Sequence, residues 1–453
     1  MNSLLFLLLT GDFIGAIAAL YIAFVIRFAH LPSWQNLQEM GLLRILIFVS
    51  IVLFSSFFAE LYDQLRYVGI REVVARIIGS SIVAFFVLTS IYYFFPNIMY
   101  GRGFLVISLL IYSSIQLAWH SGCYVISSLP SFGMRVLILG TGPLAHQIST
   151  LIDMAKNNYI VAGYINCASE PIAVPIHKIM ANDVSIYETA KRESVQKIVV
   201  SLSERRGVFP LQDVLNCKLS GVEVVDSPTF YEQLTGKLLI ENITPSWFIF
   251  SHGFRVTYLF RIYKRAIDII SSMIGLILTL PLFPVLALLI KLESPGPVFF
   301  RQVRVGEREK EFVLYKFRSM GQDAESKTGA VWAEKNDPRV TRFGRFLRNS
   351  RLDELPQLIN VFKGEMSLVG PRPERPEFVA KLKEIIPFFS ERHFIKPGLT
   401  GWAQVRYSYG SSVEDAIEKL RYDLYYIKNI SLAFDFMIAI ETVKVVLFGR
   451  GSR

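Results

Sequence analysis

Two adjacent carboxylates, Asp353 and Glu354, lie in a stretch that is otherwise rich in arginine. The arginines before the pair recur every three residues, which would make a basic stripe along a helix: Arg342, Arg345, Arg348 and Arg351. Pro356 follows the pair. Because proline is tolerated only in the first turn of a helix, the pair is predicted to lie near a helix start, where backbone N–H groups favour anions. Neighbouring helical residues point about 100° apart. One carboxylate could therefore attack an electrophile while the other holds a metal ion.

An acidic pair can also be purely stabilising. Ser350 and Asp353 have the spacing of a capping box, and acidic residues are common in first helical turns. The pair by itself leaves both interpretations open, so the surrounding segments decide between them.

Six segments of the second half occur in the order KRAID (264–268), SPGPVFFRQVRVG (294–306), YKFRSM (315–320), RLDELPQLINVFKGEMSLVGPRPE (351–374), KPGLTGWAQV (396–405) and YDLYYIKN (422–429). With these segments, residues 255–453 resemble the monotopic bacterial sugar transferases, which are polyprenol-phosphate phosphoglycosyltransferases. The 250 residues before them resemble the N-terminal extension of the large family members, with four membrane helices and a Rossmann-like domain.

The resemblance implies a two-step phosphoryl transfer. Asp353 would attack the sugar-linked phosphorus of a UDP-sugar and release UMP, and undecaprenyl phosphate would then attack the aspartyl intermediate. Glu354 would hold Mg²⁺, which prefers carboxylate and phosphate oxygens. Four further side chains match positions that the family uses for substrate and phosphate: Lys316, Arg348, Arg372 and Asp423.

Composition and charge fit a membrane protein that handles anions. The chain has 453 residues, of which 52% are hydrophobic, and a formal net charge of +10. Residues 1–250 carry 16 basic and 16 acidic side chains, whereas residues 251–453 carry 32 and 22, which accounts for the whole +10. A basic second half suits lipid headgroups and phosphorylated substrates, and no nucleic-acid-binding motif is present. The three cysteines form neither a disulfide framework nor a zinc pattern.

Four apolar runs near the ~20 residues needed to cross a bilayer open the chain, at about 4–26, 42–61, 77–95 and 104–127. The arginines of loop 62–76 and Arg135 predict that both ends of this bundle face the cytoplasm. Asp12, inside the first run, is expected to make a polar contact within the bundle.

Residues 134–145 predict a strand that leads into a glycine turn, Gly140-x-Gly142, and a helix. Further strands are predicted at 159–165, 197–202 and 222–225. Asn166 and Cys167 stand where a dinucleotide-binding fold would place its ribose-binding acid, so cofactor binding is not expected. Tyr187 and Lys191 have the spacing of a dehydrogenase pair, but they follow the glycine turn too early.

The apolar run 269–290 could span a membrane, but Pro281 and Pro284 interrupt it. We predict a re-entrant helix over about 265–291 that bends at Pro281 and returns to the same side. The family usually has Ser-Pro at this bend, whereas this chain has Leu280-Pro281. The apolar stretch 430–449 contains charges and is predicted to lie in the membrane plane.

The predicted architecture is a membrane α-helical bundle (1–130), an α/β Rossmann-like domain (131–250) and a mostly α-helical monotopic catalytic domain (251–453). The predicted function is transfer of a sugar 1-phosphate, with a hexose expected, to undecaprenyl phosphate at the start of exopolysaccharide, capsule or O-antigen synthesis. The resemblance implies a multi-pass protein of the bacterial inner membrane that contacts membrane lipids, has a cytoplasmic catalytic domain and forms a homodimer. The alternatives are a membrane-bound nucleotide-sugar dehydratase, which would need a second complete dinucleotide-binding domain, and a non-enzymatic regulator of polysaccharide export.

Overall fold

The computed structural model describes most of the chain in two compact units, Met1–Ser227 and Pro228–Arg453. The described residues are 2–28, 41–59, 61–62, 70–128, 133–155, 159–167, 171–180, 185–202, 209–242, 251, 253–321, 337–407, 410 and 412–448. Residues 63–69, on which the predicted orientation of the bundle partly rests, lie outside them.

Four apolar helices open the first unit: α1 (Asn2–Phe28), α2 (Leu42–Phe58), α3 (Ile70–Phe94) and α4 (Arg102–Ser128). Each predicted apolar run forms a helix. Of the described helices, α1, α3 and α4 are long and apolar enough to cross a membrane, whereas α2 has 17 residues and is shorter. At 1.5 Å per residue α2 is about 26 Å long, less than the ~30 Å hydrocarbon core. Length and composition therefore support three spans in this bundle, where four were predicted.

A buried polar cluster surrounds Asp12 on α1. Asp12 is 1% exposed, and its Oδ2 accepts hydrogen bonds from Tyr62 Oη and Gln116 Nε2, both at 2.8 Å. His120 Nε2 lies 3.1 Å from the same carboxylate. The expected contact within the bundle is confirmed, and it gives a charge inside an apolar helix the partners that it needs.

The rest of the first unit is a parallel α/β layer of β1 (Met134–Leu139), α5 (Pro143–Ala155), β2 (Tyr159–Ile165), β3 (Ile179–Met180), α6 (Ile186–Arg192), β4 (Lys197–Val200), α7 (Leu211–Leu219) and β5 (Glu223–Asp226). The five parallel strands are ordered β3-β2-β1-β4-β5, which is the order of a doubly wound sheet. The four strands predicted from apolar β-branched runs all form. Strand β3 was not predicted, because two residues carry too little periodicity to be recognised.

The second unit contains the predicted chemistry. Its first elements are α8 (Ser227–Thr235, which begins at the last residue of the first unit), α9 (Tyr258–Thr279), α10 (Leu282–Glu293), β6 (Phe299–Val305), β7 (Glu311–Phe317) and α11 (Arg342–Asn349). The remaining elements are α12 (Gln357–Lys363), β8 (Ser367–Val369), α13 (Pro376–Ile385), β9 (Gly398–Thr400), α14 (Trp402–Arg406), α15 (Val413–Lys428) and α16 (Leu432–Phe448). Strands β6 and β7 form the predicted antiparallel hairpin, and β8 and β9 pair in parallel.

The segment after α8 packs against α14 and α15. Leu238 N donates to the Arg421 carbonyl oxygen at 3.1 Å, and Trp402 Nε1 donates to the Gly236 carbonyl oxygen at 2.8 Å. Leu238 and Ile240 are buried in the main hydrophobic cluster of the second unit. This segment is therefore an integral part of the core that supports α15.

Helices α9 and α10 meet at a 61° bend at the predicted proline. Leu280 and Pro281 keep helical backbone angles, but Pro281 has no N–H to donate to the preceding turn. Both helices expose a nearly continuous apolar face, which includes Ile270, Ile274, Ile277, Leu278, Val285, Leu288 and Leu292.

The first half of α9 is held by the second unit. Arg265 donates to the Val361 carbonyl oxygen at 2.7 Å, and Lys264 pairs with Asp435 of α16 at 2.5 Å. Asp268 is buried and accepts from Ser367 Oγ at 3.0 Å. The charged side chains of α9 thus point into the unit, and the apolar portion that remains, 269–279, is about half as long as a membrane span.

Candidate active site

A short 3₁₀ helix, Leu352–Glu354, carries the two carboxylates. It follows Arg351, whose φ of 58° is left-handed, and it precedes α12, for which Pro356 is the N-cap. The pair therefore lies at a helix start, as predicted. The predicted basic stripe forms only in part, because Arg342, Arg345 and Arg348 lie on α11, which ends at Asn349, and Arg351 lies beyond it in a left-handed conformation.

Glu354 is clamped by cations from two other segments. Its Oε1 accepts from Lys316 Nζ at 2.9 Å and from Arg372 Nη2 at 2.8 Å, and Arg351 Nη1 lies 3.6 Å from Oε2. Burial by itself raises the pKa of Glu354, but the charges of Lys316 and Arg372 outweigh burial and hold that pKa well below its ordinary value. Glu354 is therefore a fixed anion that orients two cations.

Asp353 is equally buried but accepts no hydrogen bond from the described residues. Burial is the main reason that its pKa is raised above the ordinary value, and Lys316 opposes that shift. The neighbouring Glu354 carboxylate adds to the shift, because two adjacent negative charges repel. Of the pair, Asp353 is thus the carboxylate whose oxygens remain available to react.

Strand β7 brings Lys316 to the pair across 38 residues of sequence. The strand is fixed to α12 by Asn360, which is fully buried, accepts from Tyr315 N at 3.1 Å and donates to the Val313 carbonyl oxygen at 2.7 Å. Burial lowers the pKa of Lys316, and Glu354 opposes the shift. Sequence reasoning missed Asn360, whose signal was a polar residue on the apolar face of QLINVFK.

Arg348 projects from α11 toward the carboxylate pair. Its Nε donates to Ser319 Oγ at 2.9 Å, and its charge opposes the raised pKa of Asp353. Helix α11 can approach the 319 backbone because residue 344 is glycine, where a Cβ would lie 2.0 Å from the Ser319 carbonyl oxygen.

We expect Gly344→Ala to destabilise the second unit by about 1–3 kcal/mol, because the added methyl group would push α11 away from Ser319. Gly321→Ala is the matched control, since a Cβ there meets no atom of the described residues within 4 Å. Thermal unfolding of the purified protein measures both. Equal melting temperatures for the two variants would contradict the close approach of α11.

Arg372 contacts the carboxylate pair directly, whereas Asp423 does not. The Arg372 side chain reaches Glu354, whereas Asp423 on α15 is 2% exposed and pairs with Arg392 Nη2 at 2.8 Å. Arg392 Nη2 also donates to the carbonyl oxygen of Arg372 at 3.0 Å. The structure thus brings Lys316, Arg348 and Arg372 to the carboxylate pair and connects Asp423 to it through Arg392. Pro281 lies at the bend between α9 and α10 and makes no contact with the pair in the described structure.

Magnesium was the predicted metal. No group of three or more histidine, cysteine or acidic side chains that could hold an ion occurs among the described residues. Mg²⁺ commonly uses only one or two carboxylates together with substrate phosphates, so a larger cluster is not required. Oε1 of Glu354 already accepts from two cations, whereas Arg351 Nη1 lies 3.6 Å from Oε2, beyond hydrogen-bond distance, so Oε2 is the oxygen that would hold a metal.

The residues of this site lie in a part of the chain that matches known proteins. Residues 259–449 match the model of the family described as bacterial sugar transferase, and this range includes the carboxylate pair and the cations around it. A Rhizobium leguminosarum exopolysaccharide production protein is 44% identical over 187 residues, which is 40% of this chain and 94% of that protein.

The chain belongs to the bacterial sugar transferase family.

Two relatives that are longer than the Rhizobium protein have names that state a reaction. The UDP-N-acetylgalactosamine-undecaprenyl-phosphate N-acetylgalactosaminephosphotransferase of Aeromonas hydrophila is 43% identical over 237 residues, 52% of this chain and 55% of that protein. The undecaprenyl-phosphate glucose phosphotransferase of Komagataeibacter xylinus is 43% identical over 334 residues, 70% of this chain and 60% of that protein. This chain therefore spans little more than half of each, and these two family members are named for different sugars.

Proposed function

We propose that this bacterial sugar transferase moves a sugar 1-phosphate from a UDP-sugar to undecaprenyl phosphate and releases UMP. The relatives' names support the reaction class. The observation that carries the proposal is a buried pair of carboxylates in which Glu354 is clamped by cations, whereas Asp353 accepts no hydrogen bond from the residues that the structure describes.

The charge around the pair suits a diphosphate. Four cations of the described structure act on the two carboxylates: Lys316, Arg348, Arg351 and Arg372. Four positive charges against two negative ones leave two positive charges. The diphosphate of a UDP-sugar carries two negative charges, so its binding neutralises the site, and charge neutralisation is the main requirement of phosphoryl transfer.

In the proposed first step, an Asp353 oxygen attacks the sugar-linked phosphorus, and the bond from that phosphorus to the bridging oxygen breaks as UMP leaves. In the second step, a phosphate oxygen of undecaprenyl phosphate attacks the same phosphorus, and the bond to Asp353 breaks. Arg372 and Lys316 stabilise the negative charge that develops on the oxygen of the leaving UMP. Mg²⁺, which Glu354 Oε2 would hold, would polarise the phosphate oxygens.

The test uses the full chain in nanodiscs with Mg²⁺ and a panel that includes UDP-glucose and UDP-N-acetylgalactosamine, without lipid acceptor. Intact-protein and peptide mass spectrometry should find a sugar-phosphate adduct on the peptide that holds Asp353. The reactive UDP-sugar also identifies the sugar, for which we propose a hexose. If no UDP-sugar gives an adduct or UMP even after undecaprenyl phosphate is added, the proposal fails.

We also propose that α9 and α10 form a re-entrant membrane element, with the second unit on the cytoplasmic face of the inner membrane. The exposed apolar faces support insertion, and α10 with 12 residues is too short to cross on its own. The anchored charges at the start of α9 support an insertion to about half the depth of the bilayer.

This topology predicts that cysteines placed before α9 and after α10 react from the same side. Arg255→Cys and Pro297→Cys both replace exposed residues. In inside-out vesicles of a variant without its native cysteines, an impermeant maleimide should label both. Labelling of the two positions from opposite sides would show a complete span.

The homodimer implied by the family stays a prediction, and mass photometry in nanodiscs tests it.

A further inference from the structure

A chain of three hydrogen bonds, of which the first is buried and the other two are partly buried, connects Asp423 to the carboxylate pair. Asp423 Oδ2 accepts from Arg392 Nη2 at 2.8 Å, and the same Nη2 donates to the Arg372 carbonyl oxygen at 3.0 Å. The Arg372 side chain then donates to Glu354 Oε1 at 2.8 Å. Asp423 and Arg392 are 2% and 6% exposed, so neither is placed to meet a large substrate directly.

We propose that Arg392 and Asp423 are positioning residues that hold the main chain of the 371–374 loop, and through it the Arg372 guanidinium, at Glu354. The inference rests on the proposed sugar-phosphate transfer. It also assigns a function to Asp423 that differs from the substrate contact predicted from sequence.

The loop needs such a support because proline limits its own hydrogen bonding. Pro371 and Pro373 have no backbone N–H, so each loses one way of fixing the segment. Neighbouring strands hold its two ends, with Gly398 N donating to the Pro371 carbonyl oxygen at 2.9 Å and Val305 N to that of Glu374 at 2.9 Å. Within the loop, Arg304 Nη1 donates to the carbonyl oxygen of Pro373 at 3.0 Å, and Arg392 donates to that of Arg372, the residue whose side chain enters the site.

Asp423 orients the Arg392 guanidinium toward the loop. A buried guanidinium needs a carboxylate partner, and the planar fork of arginine can bind one acceptor while it presents another N–H elsewhere. Arg392 approaches from a 3₁₀ helix, Phe389–Phe394, and Asp423 from α15, so the loop is fixed between two elements of the core. A displacement of about 1 Å at a group that acts on the reacting atoms can cost 10²-fold in rate.

The buried carboxylate also predicts a pH dependence. Burial raises the pKa of Asp423 to about 6, Arg392 and Lys419 oppose the shift, and Glu374 adds to it. Since the folded-state pKa lies above that of the unfolded chain, about 3.9, stability is highest below pH 4 as far as this group is concerned and falls as pH rises toward 6. Asp423→Asn should remove this component, which thermal unfolding from pH 4 to 7 would measure as a smaller pH dependence than that of the wild type.

The kinetic test compares Arg392→Met, Asp423→Asn and the double variant. Each single variant should lower kcat by about 30- to 100-fold while KM for the UDP-sugar changes less than about threefold, because the substrate contacts remain. The double variant should recover stability relative to Arg392→Met, since it buries no unpaired charge, yet its kcat should stay low.

Lys428→Met combined with Glu232→Gln is the matched control. This ion pair is also largely buried and also uses α15, but its hydrogen bonds to the described residues do not involve the 371–374 loop. The control should keep kcat even where it loses stability. Recovery of kcat along with stability in the Arg392/Asp423 double variant would overturn the proposal, as would a large rise in KM with unchanged kcat.

Hydrogen exchange of the peptide 368–375 separates this inference from the proposed reaction. Arg392→Met and Asp423→Asn should raise exchange at the amides of Arg372 and Glu374 at least tenfold, and the control pair should not. Faster exchange in a protein that transfers no sugar phosphate would keep the positioning function and reject the reaction. Unchanged exchange in an active protein would reject the positioning function alone.

Discussion

Asp353→Asn should lower turnover by at least about 10³-fold and abolish the sugar-phosphate adduct. An amide is a poor nucleophile, and the neighbouring carboxylate cannot replace Asp353, because Glu354 accepts hydrogen bonds from Lys316 and Arg372. The measurement is UMP release together with peptide mass spectrometry. Asp353→Glu should also fail to form most of the adduct, since an extra methylene moves the carboxylate away from the bound phosphorus.

Asp435→Asn is the control for this variant. Asp435 is another largely buried carboxylate that pairs with Lys264, and it makes no contact with the carboxylate pair. It should change stability more than it changes adduct formation. An adduct of normal yield in Asp353→Asn would move the nucleophile to another residue, and UMP release that needs the acceptor would keep the reaction but remove the covalent step.

Glu354→Gln should lower turnover by about 10²- to 10³-fold through a different cause. The change removes the charge that holds Lys316 and Arg372 and leaves these cations to repel each other in a buried site. It also removes the oxygen proposed for Mg²⁺. The dependence of the rate on Mg²⁺ concentration should therefore weaken together with kcat, which a metal titration at saturating UDP-sugar would measure.

Glu377→Gln controls for the loss of a carboxylate as such, since Glu377 is 58% exposed. Its turnover should match the wild type. Adding Lys316→Met to Glu354→Gln should lower turnover little further, because the two residues act as one unit and their effects are not additive. Turnover of Glu354→Gln within threefold of the wild type would show that the clamp serves stability alone.

The sequence predicted this site well where the information was local. The adjacent carboxylates, the proline after them and the β-branched runs of the sheet each follow from a few neighbouring residues. Arg351 could not be predicted in the same way, because a left-handed arginine has no sequence signature. It lies where the chain turns from α11 into the 3₁₀ helix Leu352–Glu354.

Contacts between residues that are far apart in the sequence could not be predicted either. The match to family motifs named Lys316, Glu354, Arg372 and Asp423 but not the contacts that they make. Glu354 meets a lysine 38 residues earlier, and Asp423 meets an arginine 31 residues earlier that no motif singled out. Such pairs depend on how β7, α12 and α15 pack, and periodicity within one element contains no information about that packing.

The hydrogen bonds of Gly236 and Leu238 to α14 and α15 matter for anyone who wishes to express the second unit separately. A recombinant fragment that began at residue 251, where sequence patterns suggest a boundary, would leave Trp402 Nε1 without its acceptor and open the cluster that Leu238 and Ile240 fill. Loss of large buried aliphatic side chains costs several kcal/mol, of the order of the whole stability of many domains. Limited proteolysis should accordingly trim the second unit to a product that retains residues 228–242, and low activity of a shorter fragment would reflect misfolding before it reflected chemistry.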